Sequence, residues 1–353
     1  MSAFFILLTF ILEVNRSMRL MSGLAFCLLI SFFTKAEVQE KAAIMSPLAV
    51  KSMLFDITNV NNEFMIAVGE RGHILRAVNL KTWQQIHVPS QSTLTAVTFV
   101  NSLLGWAVGH DGIILHSSDG GLSWKTQQFL PHIQKPLLDV AFINEKEGIA
   151  LGAYGLFFRT QDGGQTWQQE FHTSLLSQDD LDYLEELKQE DEQVFLEERA
   201  SILPHFNRVF LDGRTTYLVG EVGLIAKSND FGRTWQRFDD IYHGSFFDVA
   251  RTKLGNLLAV GLRGNSFRSL TNGTPWQKSE TSVTTLLNSI VLASDNQLFI
   301  LGNNGVLLES IDDGSTFIKR IQNDGKALLA GVVFNQQLVI ASEVGIKVLQ
   351  VVN

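Results

Sequence analysis

A single cysteine in 353 residues, Cys27, leaves no room for a disulfide framework. It lies in an apolar stretch near the N-terminus, so everything after that stretch is without thiol chemistry. Long hydrophobic runs are missing too: Ala3–Leu12 and Leu20–Phe33 both fall short of the roughly 20 residues that a membrane-spanning helix needs. There is no excess of basic charge. With 28 Lys and Arg against 36 Asp and Glu the net charge is −8, whereas nucleic acid demands a basic footprint, so it is excluded as a partner class. No His, Cys or carboxylate cluster has metal-ligand spacing, and no paired-carboxylate or activated-nucleophile pattern stands out. Neither a catalytic residue, a metal nor a cofactor is therefore expected.

The N-terminal stretch reads as an export signal. Arg16 and Arg19 make a basic leader, Leu20–Phe33 the apolar core, and Thr34-Lys35-Ala36 a small-x-small cleavage site, so residues 1–36 are expected to be removed. Translation then starts at Met18 or Met21 if residues 1–17 are an over-long start. Phe26 sits where a lipoprotein signal needs a small residue, which argues against lipidation of Cys27. Loss of Arg16, Arg19, Lys35 and Glu13 with the leader takes Lys and Arg from 28 to 25, Asp and Glu from 36 to 35, and the net charge to −10. The expected location is outside the cytoplasm, periplasmic or lumenal; an uncleaved leader that holds the protein at the membrane is the alternative.

What the sequence has in plenty is one repeated spelling, Ser/Thr-x-Asp-x-Gly-x-Thr-Trp. Copies run Ser117–Trp124, Thr160–Trp167, Ser228–Trp235 and, with Phe for Trp, Ser310–Phe317; eroded copies end at Trp83 and Trp276, the latter with Thr271 at the Asp position. The box reads as a hairpin turn. Asp119, Asp162, Asp230 and Asp312 would accept backbone N–H groups of their own turns, Gly would supply positive φ, and Trp124, Trp167 and Trp235 would pin each turn to a sheet.

The box belongs to a longer unit that opens seven times with an apolar strand: Leu54–Ile57, Leu94–Val97, Leu138–Ala141, Phe206–Val209, Phe247–Ala250, Leu287–Ile290 and Leu329–Val332. A second strand ends in Gly-x-x-Gly, whose first Gly falls at 69, 109, 152, 220, 261 and 302, a period of about 40 residues with one interval of 68. Four short strands per unit at this period predict an all-β fold, a seven-bladed β-propeller over 43–353. The seventh unit stops after its third strand, and Ala43–Ser46 is expected to supply the missing fourth and so remove the open sheet edges.

The long interval is an insert, 172–205, between the third and fourth units. Ser174–Ala200 holds ten acids against Lys188 and Arg199; Ser177 precedes Asp180 as in a capping box, and Leu181, Leu184, Leu187, Val194 and Phe195 recur at helical spacing. A small acidic helical insert is expected on the face of the Gly-x-x-Gly turns. A cationic residue closes the third strand in five units: Arg76, His116, Arg159, Lys227 and Arg268, with Glu309 breaking the series. Such an arc toward the box end would either bind a partner or cover apolar sheet and pair locally.

Gly-x-x-Gly, an apolar strand and Asp-Gly-Gly-x-Thr-Trp, as in Gly152–Trp167, resemble the seven-bladed propellers of the photosystem II stability and assembly factor family, of the bacterial neuraminidase repeat class. The resemblance covers residues 43–353 apart from the insert, which is more like that of relatives in bacteria without photosystems. It implies a non-enzymatic exported scaffold, expected to be monomeric, that helps a membrane protein or membrane-protein complex assemble, with an arginine patch carried over to Arg76, Arg159 and Arg268. An accessory protein of an inner-membrane exporter is the alternative on the same scaffold. A sialidase shares the box, but its Arg-containing first-blade motif has no counterpart in Leu54-Phe55-Asp56-Ile57, and only Tyr154 of the four tyrosines lies in a Gly-x-x-Gly turn.

Overall fold

The structure, a computed structural model, describes residues 40–293 and 296–350. The expected export segment, 1–36, lies outside the described residues. Seven antiparallel sheets follow one another along the chain: β1–β4 in 54–86, β5–β8 in 94–128, β9–β12 in 137–169, β13–β16 in 206–237, β17–β20 in 246–279, β21–β24 in 287–321 and β25–β27 in 328–350. Each is a blade of a seven-bladed propeller. The second strands, such as β2 (Phe64–Gly69) and β6 (Gly105–Gly109), are buried throughout, because neighbouring blades cover both of their faces. The hydrophobic core accordingly falls into seven clusters, one in each gap between adjacent blades.

The first Gly of each Gly-x-x-Gly turn serves close approach. A Cβ on Gly69 would lie 2.2 Å from the Met53 carbonyl oxygen, and one on Gly109 2.0 Å from that of Thr93. The next-to-last turn residue is left-handed, as at Arg71 (φ 57°) and Asp111 (φ 59°).

The register of the innermost strands shifts by a bulge near the start of every blade, as between Leu54 and Asp56 in β1 (Leu54–Val60). That bulge turns a polar side chain toward the next blade. Blades one, three and five use an aspartate: Asp56 accepts the Val97 amide (2.9 Å), Asp139 that of Val209 (2.7 Å) and Asp248 that of Ile290 (2.7 Å). Blades two, four and six use a donor one residue earlier: Thr95 to the Leu137 carbonyl (2.7 Å), Asn207 to Phe246 (2.8 Å) and Asn288 to Leu328 (2.8 Å). Asn59 closes the ring by donating to the Val333 carbonyl across the gap between blades one and seven (2.7 Å).

The expectation that Ala43–Ser46 completes the last blade is wrong. The seventh sheet has three strands, β25 (Leu328–Phe334), β26 (Gln337–Ser342) and β27 (Gly345–Gln350). Residues 43–46 instead run beside β4 (Gln84–Ile86) of the first blade: the Ala43 amide donates to Val88 O (2.9 Å) and the Gln85 amide group to Ile44 O (3.0 Å). Only Ala43 of this stretch is buried, with Ile44 and Met45 exposed. A blade-completing strand needs inward side chains at alternate positions, and one methyl group does not supply them.

The insert forms α1 (Gln178–Glu190) and α2 (Glu192–Arg199), between the third and fourth sheets. Ser177 caps α1: its hydroxyl accepts the Asp180 amide and donates to the Asp180 carboxylate (2.7 Å). The segment sits on the Gly-x-x-Gly face, where Leu203 packs over Gly155 and the Gly155 amide donates to Pro204 O (3.0 Å). Leu184 is buried beneath it, whereas Val194 and Leu196 stand in solvent.

Candidate docking surfaces

At the opposite face, the four intact boxes share one geometry. In Asp230 one carboxylate oxygen takes the Thr234 amide (2.9 Å) and the Ser228 hydroxyl (2.7 Å), the other the Thr234 hydroxyl (2.6 Å); Ser228 Oγ in turn takes the Gly232 amide (2.8 Å). Asp119, Asp162 and Asp312 repeat the pattern with Ser123, Thr166 and Thr316. Partial burial works against ionisation of Asp230, but the bonds from Thr234, Ser228 and the Arg233 amide outweigh it and bring its carboxyl down to about 2. Trp124 and Trp235 are buried beneath their turns, and Trp167 is partly so.

The cationic arc does not behave as one surface. Arg76 donates its Nε–H to the carbonyl of Gly120, the fourth box residue of blade two (2.9 Å), with its guanidinium 4.4 Å above the Phe64 ring. Arg159 is 5% exposed. It grips Glu170 through two bonds (2.7 and 2.9 Å) and reaches across to the Phe231 (2.8 Å) and Gly232 (2.9 Å) carbonyls of the blade-four box. His116 lies against Trp106, and burial, then the charge of Lys125, lowers its pKa; in its gap Gln127 takes over, donating to Gly163 O (2.9 Å). These contacts join blades one, two and three each to the box of the next. Lys227 and Arg268 make no hydrogen bond or ion pair among the described residues; Lys227 rests its ammonium 5.5 Å from the Phe238 ring. Glu309, the exception in the series, is bound by Arg320, eleven residues on, in the same relation as Arg159 to Glu170 with the charges exchanged.

A polar cluster that the sequence analysis does not single out lies at the propeller axis. Arg208 of blade four points among three inner-strand aspartates, 3.3 Å from Asp139, 3.8 Å from Asp248 and 4.0 Å from Asp56. Burial raises all three carboxyls, Asp56 to about 6, with Arg208 as the main opposing influence. Burial would lower the Arg208 guanidinium, but Asp139, Asp56 and Asp248 together raise it. The sequence signal for it is the recurrence of Asp at the third position of the first strand in blades one, three and five, and of Thr or Asn at the second position of the first strand in blades two, four and six. Among the described residues no group of three or more His, Cys, Asp or Glu could hold a metal ion. No described helix is long and apolar enough to cross a membrane. Tyr154, the one tyrosine in a Gly-x-x-Gly turn, sits beside the insert, its ring 4.5 Å from that of His205.

The family model of the photosynthesis system II assembly factor YCF48 matches residues 75–135 and 130–239. The chain resembles this family over residues 75–239, a little under half of its length. The photosystem II assembly protein Ycf48 of Thermosynechococcus vestitus is 27% identical over 241 residues, which cover 68% of this chain and 62% of that protein, under two thirds of its length. A solved structure described as YCF48 bound to D1 peptide superposes with a TM-score of 0.66 at 18% identity, covering 89% of this chain and all of that one. YCF48 from Cyanidioschyzon merolae gives 0.65 at 15%, covering 89% and 99%. At these identities the structural matches establish the seven-bladed fold and nothing finer.

Proposed function

We propose that this Ycf48-like protein is an exported, non-catalytic scaffold that holds a segment of a membrane-protein subunit while a complex is assembled. The observation that carries the reading is the match of residues 75–239, from the third strand of blade one through blade four, to the assembly-factor model, on a fold shared with a propeller described as bound to a D1 peptide. Two opposite-signed surfaces support it. The insert presents exposed acids beside exposed Tyr183, Val194 and Leu196, a combination suited to a basic, partly apolar segment. On the other face, Lys227 and Arg268 are the permanently charged arc members that make no hydrogen bond or ion pair among the described residues, while Arg76 and Arg159 are engaged with neighbouring boxes.

Recovery of partners from detergent-solubilised membranes of the native host tests the proposal. Deletion of 178–199, or the pair Lys227→Glu and Arg268→Glu, is expected to reduce recovery of a membrane-protein subunit in a salt-sensitive way with little change in melting temperature. Recovery unchanged in both variants would contradict the scaffold role. N-terminal sequencing of the secreted protein, expected to begin near Glu37, tests export.

A further inference from the structure

The gap between blades four and five differs from its neighbours at the box end. In the first gap Phe99 fills this level, edge-on to both Phe64 (5.7 Å) and the box residue Trp124 (6.0 Å), and Arg76 seals it. In the second gap Phe142 fills the level, stacked on Trp106 (3.5 Å) and edge-on to the box residue Trp167 (5.9 Å). The equivalent residue of blade five is Arg251, and the blade-five box is the eroded one, with Thr271 at the Asp position and Asn272 at the position whose carbonyl takes the cross-blade bond elsewhere. Asn272 turns its side-chain oxygen to Arg251 instead (3.1 Å). An open cleft of about 470 Å³ remains.

The charges in that cleft do not cancel. Arg251 makes four hydrogen bonds: Nε to Asp212 (2.5 Å), one terminal nitrogen to Gly255 O (2.6 Å), and the other to Asn272 (3.1 Å) and to the Tyr217 hydroxyl oxygen (3.2 Å). Asp212 and Arg251 therefore neutralise one another, and the ammonium of Lys227 is left as the unbalanced charge. Because the Tyr217 oxygen accepts from Arg251, its own O–H is available to donate. Burial raises the Tyr217 pKa, so that proton stays in place at neutral pH. Thr215 donates to Asn229 Oδ1 (3.2 Å), which orients the Asn229 amide, whose N–H groups have no partner among the described residues.

We infer that this cleft is a carboxylate-binding site, with Lys227 as the charge partner and the Tyr217 hydroxyl and Asn229 amide as hydrogen-bond donors. One net positive charge with neutral donors around it suits a single carboxylate; a phosphate dianion would call for a second unengaged cation. The carboxylate can come from a small organic acid or from an acidic side chain of a peptide. The inference does not depend on the scaffold role, since it concerns the cleft alone.

Isothermal titration of the full chain with butyrate and, separately, with the blocked peptide acetyl-Ala-Glu-Ala-amide tests it. At least one probe is expected to bind saturably, and whichever binds tighter identifies the source. Lys227→Met is expected to weaken that binding by about tenfold or more. Asn272→Asp, which keeps an acceptor for Arg251 but adds negative charge to the cleft, is expected to weaken it as well. Failure of both probes to saturate by about 10 mM, where the binding free energy is under 3 kcal/mol, or undiminished binding by Lys227→Met, would overturn the assignment.

Discussion

The gaps on either side of blade four are built from the same sequence unit and do opposite things. In the gap between blades three and four the cationic residue is Arg159, buried, clamped by Glu170 and bonded to two carbonyls of the next box. In the gap between blades four and five it is Lys227, half-exposed, without an ion pair among the described residues, above a cleft that Arg251 keeps polar. A planar guanidinium can satisfy several oxygens at fixed angles, whereas an ammonium on a flexible stem is a point charge. The same register position thus yields a structural joint in one gap and a binding-competent charge in the next. Arg76 and Arg159 reach the fourth-residue carbonyl of an intact box, whereas Lys227 faces the eroded one.

The axis offers the severest way to break this picture. Arg208→Met leaves three buried carboxyls without a cation, and a loss of about 3 kcal/mol at neutral pH is expected in urea unfolding. The sign with pH follows from the raised carboxyls. Their folded-state pKa values exceed the unfolded value near 4, as at Asp56 where it is about 6, so the folded form takes up protons first and stability falls as pH rises from about 4 to about 6. The Arg208→Met deficit should therefore shrink at pH 4.5. A deficit independent of pH would contradict the assignment of Arg208 as the counter-charge.

The boxes should respond in the opposite direction and more weakly. Asp230, lowered to about 2, lends stability that is complete above its unfolded value near 4 and is lost as pH falls through about 2. Asp230→Ala is expected to cost about 1 kcal/mol at pH 7 and to flatten the acid limb of the stability curve. An unchanged melt at pH 7 would show that the turn holds without its acceptor.

The parts of this architecture that were readable in the sequence are those whose chemistry is local. Ser228, Asp230, Gly232 and Thr234 bond one another within one turn, and the first Gly of Gly-x-x-Gly avoids a carbonyl of its own blade, so spacing alone reveals seven blades. The Ser177 cap and the insert were legible for the same reason. Contacts between blades were not: Asp56 meets Val97, and Arg159 meets Phe231 across 72 residues, so a run of cations at one register position looks alike whether it faces solvent or a carbonyl. Ala43–Ser46 misled because a short apolar stretch before a closed ring resembles a closing strand. Its partners turned out to be Val88 and Gln85 of the first blade.

The most direct measurement compares the two gaps in one experiment, the urea unfolding of Arg159→Met and Lys227→Met beside the wild type at pH 7. Arg159→Met is expected to lose about 2 kcal/mol, less than for a fully enclosed pair because Glu170 is partly in water. Lys227→Met should stay within about 0.5 kcal/mol of wild type, as for a surface substitution that removes no bond. Equal losses in the two variants would contradict the claim that one gap is joined by its cation and the other left open.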